Sequence, residues 1–424
     1  MKMHQLSPAI TTLKNCYERV AVRENEVGAF QYLKPTAQAI AECEKGPKGL
    51  LSGMPIGIKD IFDTTDMPTQ WGTSYLYSPK SQADSSLVAS LRKAGAILIG
   101  KTVSTKLAYF TPGKTRNPHD LKRTPGASSS GSAAAVADGM SRAAIGSQTA
   151  GSIIRPASFC GVVGFKPSAD LIPSSGVKAF SKSLDTVGWF TRNIHDCALL
   201  FDAATQRQHN TDLPKSALAT LRVNALIEIE NIPLDNDVRA LLKKSFYTLK
   251  KATARTAEIQ ESQLFCKLIN VQKCIMAYEA SRTLVHEFQF YKNSMGKELV
   301  DIIQLGAAID LPEYLDALAF RDHALHTLTH TFFNQADILI APSTIGEATV
   351  GLNTTGDPVY CRPWTLLGLP CLHLPTGKGS HGMPIGIPLI GKPKEDLKLL
   401  SSALSIVQLE DFKLTCLTGE ANEH

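Results

Sequence analysis

TPGASSSGSAAAVADGM, residues 124–140, sets a cluster of serines against a run of alanines in a chain of otherwise ordinary composition. Glycine and serine suit a linker, a phosphate loop or a catalytic element equally well, so the reading depends on what flanks the stretch. The small residues from Ser132 to Asp138 predict a close-packed helix, with Gly139 as its stop. RAAIGS, 142–147, then predicts a strand running back, which returns the loop QTAGS, 148–152, close to Ser128. Two serine-bearing loops then face one another.

The same alternation of helix and strand extends outward. GLLSGMPIGIKDIFD, 49–63, reads as a buried strand entering a turn, with Lys59 inside it. Asp84 is placed to cap a helix through Ala94, with Leu87, Val88 and Leu91 on one face; Gly95 closes it and AILI, 96–99, follows as a strand. Residues 95–102, GAILIGKT, match the phosphate-loop pattern G-x-x-x-x-G-K-[ST]. Their apolar middle belongs in a sheet, where N–H groups pair with a neighbouring strand and cannot cradle phosphate. Segments 222–229, 336–341 and 371–375 read as further strands, and about 235–335 is mostly helical in pattern. Helices begin at Ser7–Pro8, continuing through Val20, and cover Pro35 to Cys43. These elements predict one α/β domain over 1–424, with N-terminal helices in about 1–45 and the helical middle packing over a sheet completed by the C-terminal third. The polar stretch 205–216 is the best linker candidate.

Composition excludes several classes. The chain has 424 residues, 43% apolar and 20% charged, and its net charge of +5 comes from 44 basic and 39 acidic residues mixed along its length. No basic block marks a nucleic-acid or membrane-surface binder. Nine scattered cysteines without a C-x-x-C pair point to reduced thiols and a cytoplasmic location. The start lacks the apolar stretch of a signal peptide, and no run is long enough to span a bilayer. His323, His326 and His330 share helical spacing but lack acidic or cysteine ligands beside them, so a polar helix face is expected and no metal site. Ser175 and Lys178 form an S-x-x-K pair without the S-D-N or K-T-G that supports it elsewhere, and a G-x-S-x-G elbow is absent.

A serine hydroxyl needs a base to act as a nucleophile, and a lysine serves if burial keeps it neutral. Lys59, flanked by Ile58 and Ile61, suits that role, and a second serine could relay the proton. Gly151 beside Ser152 would leave backbone N–H groups free to face an oxyanion. The same spacing equally suits plain glycine–serine turns around a packed helix.

The segments LSGMPIGIKDIFDT (51–64), TPGASSSGSAAAVADGM (124–140) and GSQTAGSIIRPASFCGVVGFKPS (146–168) resemble the amidase signature family of serine hydrolases. SLDTVGWFTRNIHDCALL (183–200), ADILIAPS (336–343), RPWTLLGLPCLHLPTG (362–377) and GMPIGIPLIG (382–391) follow in the family's order. The resemblance implies a large central mixed β-sheet enclosed by α-helices and a Ser-Ser-Lys arrangement: Ser152 as nucleophile, Ser128 as bridging serine and Lys59 as base. It implies oxyanion donors on the backbone of Thr149, Ala150, Gly151 and Ser152, and neither a cofactor nor a metal. The partner expected is a small-molecule amide, with no nucleic acid and no membrane, and a homodimer is compatible with it. Ala127 and Ala150 stand where glycine is frequent, Gln148 where an acidic residue is common, Arg155 lies one place late, and Pro388 replaces a usual glutamine. The expected activity is hydrolysis of a carboxylic amide or related acyl compound through an acyl-enzyme. One alternative is the glutaminase component of a tRNA-dependent amidotransferase, although after KPS the chain continues ADLIPSSGVKAF without the tyrosine–glycine stretch usual there. The other is a catalytically silent binding protein. The substrate pocket is expected between the helical middle and the 345–365 loop.

Overall fold

The computed structural model describes residues 7–46, 48–207 and 215–415. Its strands are β1 (Phe30–Leu33), β2 (Pro55–Lys59), β3 (Ile97–Thr102), β4 (Ala143–Gln148), β5 (Val163–Lys166), β6 (Thr186–Thr191), β7 (Arg222–Ala225), β8 (Arg255–Glu258), β9 (Ile338–Ile340), β10 (Cys371–Lys378) and β11 (Pro384–Gly391). They form one 11-stranded sheet in the order β1-β3-β2-β4-β6-β5-β10-β11-β9-β7-β8. β2 lies parallel to both β3 and β4, β7 parallel to β8 and β9, and the remaining pairs are antiparallel, so the sheet is mixed. The C-terminal third supplies β9, β10 and β11, which join the two flanks.

The helices are α1 (Pro8–Val27), α2 (Thr36–Lys45), α3 (Ser86–Lys93), α4 (Ser130–Ala137), α5 (Ile154–Cys160), α6 (Ile194–Thr205), α7 (Asn236–Ala252), α8 (Ser262–Thr283), α9 (Val285–Met295), α10 (Lys297–Ala308), α11 (Leu311–Thr331), α12 (Arg362–Leu366) and α13 (Asp396–Ile406). α1 starts where expected: Ser7 Oγ accepts the Ile10 N–H, Pro8 takes the first turn, and Leu13, Cys16, Tyr17 and Val20 form its buried stripe. It runs past Val20 to Gly28, which ends it in the left-handed conformation at φ 64°. α4 is buried at every residue, which only small side chains permit.

Several local readings are corrected. Ser85, not Asp84, precedes α3; Asp84 instead accepts the Thr65 N–H and pairs with Arg92 across the turn. β1, β5, β6, β8 and β11 lie outside the expected strands; β1 and β8 are four-residue edge strands with polar residues and no clean alternation. The strand expected over 222–229 pairs only as far as Ala225. GAILIGKT does lie in the sheet: β3 is buried throughout, and the Lys101 ammonium donates to the Phe62 carbonyl and Thr69 Oγ1, each at 2.6 Å, not into a loop. His326 and His330 stack on α11 with ring centroids 4.0 Å apart, and no metal-holding cluster of three occurs among the described residues. Lys178 pairs with Glu287. Most of the linker candidate, 208–214, lies outside the described residues. No helix among the described residues is long and apolar enough to cross a membrane.

Candidate active site

The parallel pairing of β2 and β4 creates the site. Ile58 lies opposite Ile145, so Lys59 at the end of β2 falls level with Gly146 and its side chain reaches Ser147, the next residue of β4. The chain leaves β4 into the Thr149–Ile153 loop and enters α5, while Ser128 sits just ahead of α4. The two serine loops are therefore brought together over a buried lysine.

Lys59 is fully buried, and its Nζ donates to Ser128 Oγ at 2.7 Å and Ser147 Oγ at 2.8 Å. Burial pulls its pKa from 10.5 down to about 7, partly opposed by the negative charge of Asp185. Near neutral pH a large fraction of the amine is therefore unprotonated and can act as a base. Ser128 also reaches Ser152, through its backbone N–H, which donates to Ser152 Oγ at 3.4 Å. The order Lys59–Ser128–Ser152 is thus in place, with the Ser128 hydroxyl engaged by the lysine and its main chain touching the second serine. Ser128 and Ser152 are 4% and 8% exposed, enough to open on a cavity.

Ser147 is a site residue that sequence reading missed, because only strand register places it against Lys59. Ser129 braces the loop from behind: its Oγ donates to the Ser147 carbonyl at 3.2 Å and accepts the Ser147 N–H at 3.3 Å. The Ser130 hydroxyl is buried without a hydrogen-bond partner among the described residues.

The loop around Ser152 is held from several sides. Gln148, in place of an acidic residue, accepts the N–H groups of Ile153 at 2.8 Å and Ile154 at 3.0 Å, tying off the first turn of α5. An amide suits that place because its Nε2 also donates, at 2.9 Å, to Thr365 Oγ1, which a carboxylate could not do. Asp185 accepts the Thr149 hydroxyl and the N–H groups of Phe180 and Ser181, and burial lifts its pKa to about 6. Gly151 is required by close approach: a Cβ there would lie 2.8 Å from Pro358 Cβ and 3.1 Å from Cys361 Cβ. No acceptor among the described residues takes the N–H groups of Thr149, Ala150, Gly151 or Ser152.

Above the serines lies a narrow cavity walled by Tyr109, Phe110, Phe180, Met276, Thr355 and Arg155. Met276 comes from α8 and Thr355 from the 345–365 loop, as expected; the Ala108–Phe110 wall was not foreseen. Arg155 is 3% exposed, donates to the Gly356 carbonyl, and lies with Cζ 5.5 Å from the centre of the Phe110 ring. Its Nε has no partner among the described residues, and burial lowers its pKa only to about 10, so it stays charged.

Residues 11–400 match the amidase family. The chain is 31% identical over 440 residues to the A component of the glutamyl-tRNA(Gln) amidotransferase of a Cyanothece species, covering 91% of each chain. It superposes on a crystal structure of an amidase with a TM-score of 0.84 at 27% identity, covering 94% of this chain and 95% of the other. It superposes on the native peptide amidase of Stenotrophomonas maltophilia with a TM-score of 0.77 at 25% identity, covering 94% and 93%. With the mixed sheet and the buried serine–lysine cluster in view, these matches establish that the chain belongs to the amidase family, hydrolases that act on carbon–nitrogen bonds of amides.

Proposed function

We propose that this chain hydrolyses a small carboxylic amide through an acyl-enzyme on Ser152. The observation that carries the proposal is the 2.7 Å hydrogen bond from a fully buried Lys59 to Ser128, with Ser152 Oγ against the same Ser128. Neutral Lys59 takes the Ser128 proton as Ser128 takes that of Ser152, and Ser152 Oγ adds to the amide carbonyl carbon. The oxyanion is met by backbone N–H groups of the 149–152 loop. The Lys59 ammonium returns its proton through Ser128 to the leaving nitrogen, the carbon–nitrogen bond breaks, and amine or ammonia departs. Water then adds to the ester with the same relay as base, releasing the acid and restoring Ser152.

Arg155 narrows the substrate. A buried guanidinium with an unpaired Nε at a cavity beside the nucleophile retains an unmet demand for an acceptor, and charged groups left unpaired in an interior are costly. The reading supported is an amide that carries a carboxylate a short distance from the scissile carbonyl. Fluorophosphonate treatment followed by peptide mapping should place the adduct on Ser152, and Ser152→Ala should abolish it; an adduct on any other residue overturns the assignment. In an amide panel, Arg155→Met should raise KM tenfold or more, by about the loss of one charged hydrogen bond, for carboxylate-bearing amides and leave neutral amides unchanged.

The likeness to the A components of tRNA-dependent amidotransferases favours a second reading, a glutaminase that works within an assembly. Amide turnover by the purified chain alone supports the first reading, and glutamine turnover appearing only on addition of partner proteins supports the second. Complete loss of activity in Ser152→Ala with unchanged fold rules out a silent binding protein.

A further inference from the structure

The loop that presents the N–H groups is held from behind by two side chains outside the cavity lining, Gln272 and Thr365, and by the main chain of Arg155. In a trans peptide the C=O of one residue and the N–H of the next point in opposite directions, so tying back a carbonyl aims the following N–H away from the tie. This happens in succession along the loop. The Thr149 carbonyl accepts from Gln272 Nε2 at 2.9 Å, the Ala150 carbonyl from Thr365 Oγ1 at 2.7 Å, and the Gly151 carbonyl from the Arg155 N–H at 3.0 Å. The N–H groups turned the other way belong to Ala150, Gly151 and Ser152, and none meets an acceptor among the described residues.

The Gln272 and Gln148 amides have no freedom to reverse. Arg362 can only donate, and it donates to Gln272 Oε1, which leaves the Gln272 amino group facing Thr149; that group also lies 3.6 Å from Met276 Sδ. Gln148 Oε1 is occupied by two N–H groups of α5, so its Nε2 faces Thr365 Oγ1 and the Thr365 proton goes to Ala150, or to the Cys361 carbonyl at 3.1 Å. Gln272, Arg362 and Thr365 are buried, at 0%, 5% and 2% exposure, so water does not compete for these bonds. Gln272 belongs to α8 and Arg362 and Thr365 to α12, two helices packed on each other.

We propose that Gln272 and Thr365 are positioning residues for the oxyanion site, orienting the Ala150 and Gly151 N–H groups by fixing the carbonyls before them. This makes α8, from the helical middle of the chain, part of the catalytic apparatus. The inference rests on Ser152 being the nucleophile and on its loop receiving the oxyanion.

The test uses the rate of Ser152 phosphonylation by a fluorophosphonate, whose phosphoryl oxygen occupies the oxyanion position. Gln272→Met keeps volume and removes the donor; Thr365→Val removes the hydroxyl and Thr365→Ser retains it. Losing a direct oxyanion donor costs about 100- to 1,000-fold, so loosening one should lower the limiting rate by roughly 10- to 100-fold. The half-saturating probe concentration should change less than twofold, the pH midpoint of labelling should stay at the wild-type value because Lys59 is untouched, and Thr365→Ser should restore most of the rate. Wild-type limiting rates in both Gln272→Met and Thr365→Val overturn the inference. So does a rate loss that comes with a shifted pH midpoint, since that places the damage at Lys59. If Ser152→Ala still labels at full rate, it is the underlying assignment that fails.

Discussion

Lowering the pH is the perturbation to which Lys59 answers most directly. Its pKa of about 7 arises because the ammonium loses hydration in a fully buried site, and the Asp185 carboxylate restores only part of that loss. A group of that pKa is neutral in about one molecule in ten at pH 6 and about nine in ten at pH 8; an ordinary lysine at pH 7 is neutral in roughly three in ten thousand. Ser152 phosphonylation should therefore rise about tenfold per pH unit below a midpoint near 7 and level off above it. The same shift sets a stability slope. The unfolded chain keeps the lysine proton up to its usual pKa of 10.5, whereas the folded chain releases it near 7. Between those values the unfolded state binds more protons, so folding stability rises with pH, by about 1.4 kcal/mol per unit. From pH 7 to pH 9 the protein should gain about 2 kcal/mol relative to Lys59→Met, less than the full slope because folded Lys59 is still half protonated at pH 7, read from urea unfolding of both. Other titrating groups, including Asp60 and Asp185 with pKa values near 6, are common to both proteins and cancel in first order. A labelling midpoint at pH 9 or above, or parallel stability curves for the two proteins, would refute the reasoning.

Two further substitutions probe the loop and its charge. Gly151→Ala drives a Cβ to 2.8 Å from Pro358 Cβ and 3.1 Å from Cys361 Cβ, so it should lower stability by about 1–3 kcal/mol and slow labelling; unchanged unfolding and full activity would mean the contact is not tight. Asp185→Asn removes the negative charge that favours the Lys59 ammonium, so the acid limb of the labelling profile should move to lower pH. A midpoint that rises or stays in place would show that Asp185 acts only through its hydrogen bonds to Thr149, Phe180 and Ser181.

Much of this protein is local and was therefore legible. The buried alanine helix after the serines, the apolar run ending at Lys59, the strand at 143–148 and the capped helix at Pro8 follow from side-chain size, periodicity and turn residues, which act between near neighbours. The identities of Lys59, Ser128 and Ser152 as candidates followed from those elements and from resemblance to the amidases. What only the tertiary structure decided depends on residues far apart along the chain. Register between β2 and β4 put Ser147 on the lysine, and the packing of α8 and α12 put Gln272 and Thr365 behind the Thr149–Ser152 loop. Gly151, read from sequence as leaving N–H groups free to face an oxyanion, also gives clearance from Pro358 and Cys361, which only the packing reveals. The pKa of Lys59 falls to about 7 because of enclosure on all sides, and enclosure belongs to the folded chain: a sequence names the group that can be desolvated, and only packing desolvates it.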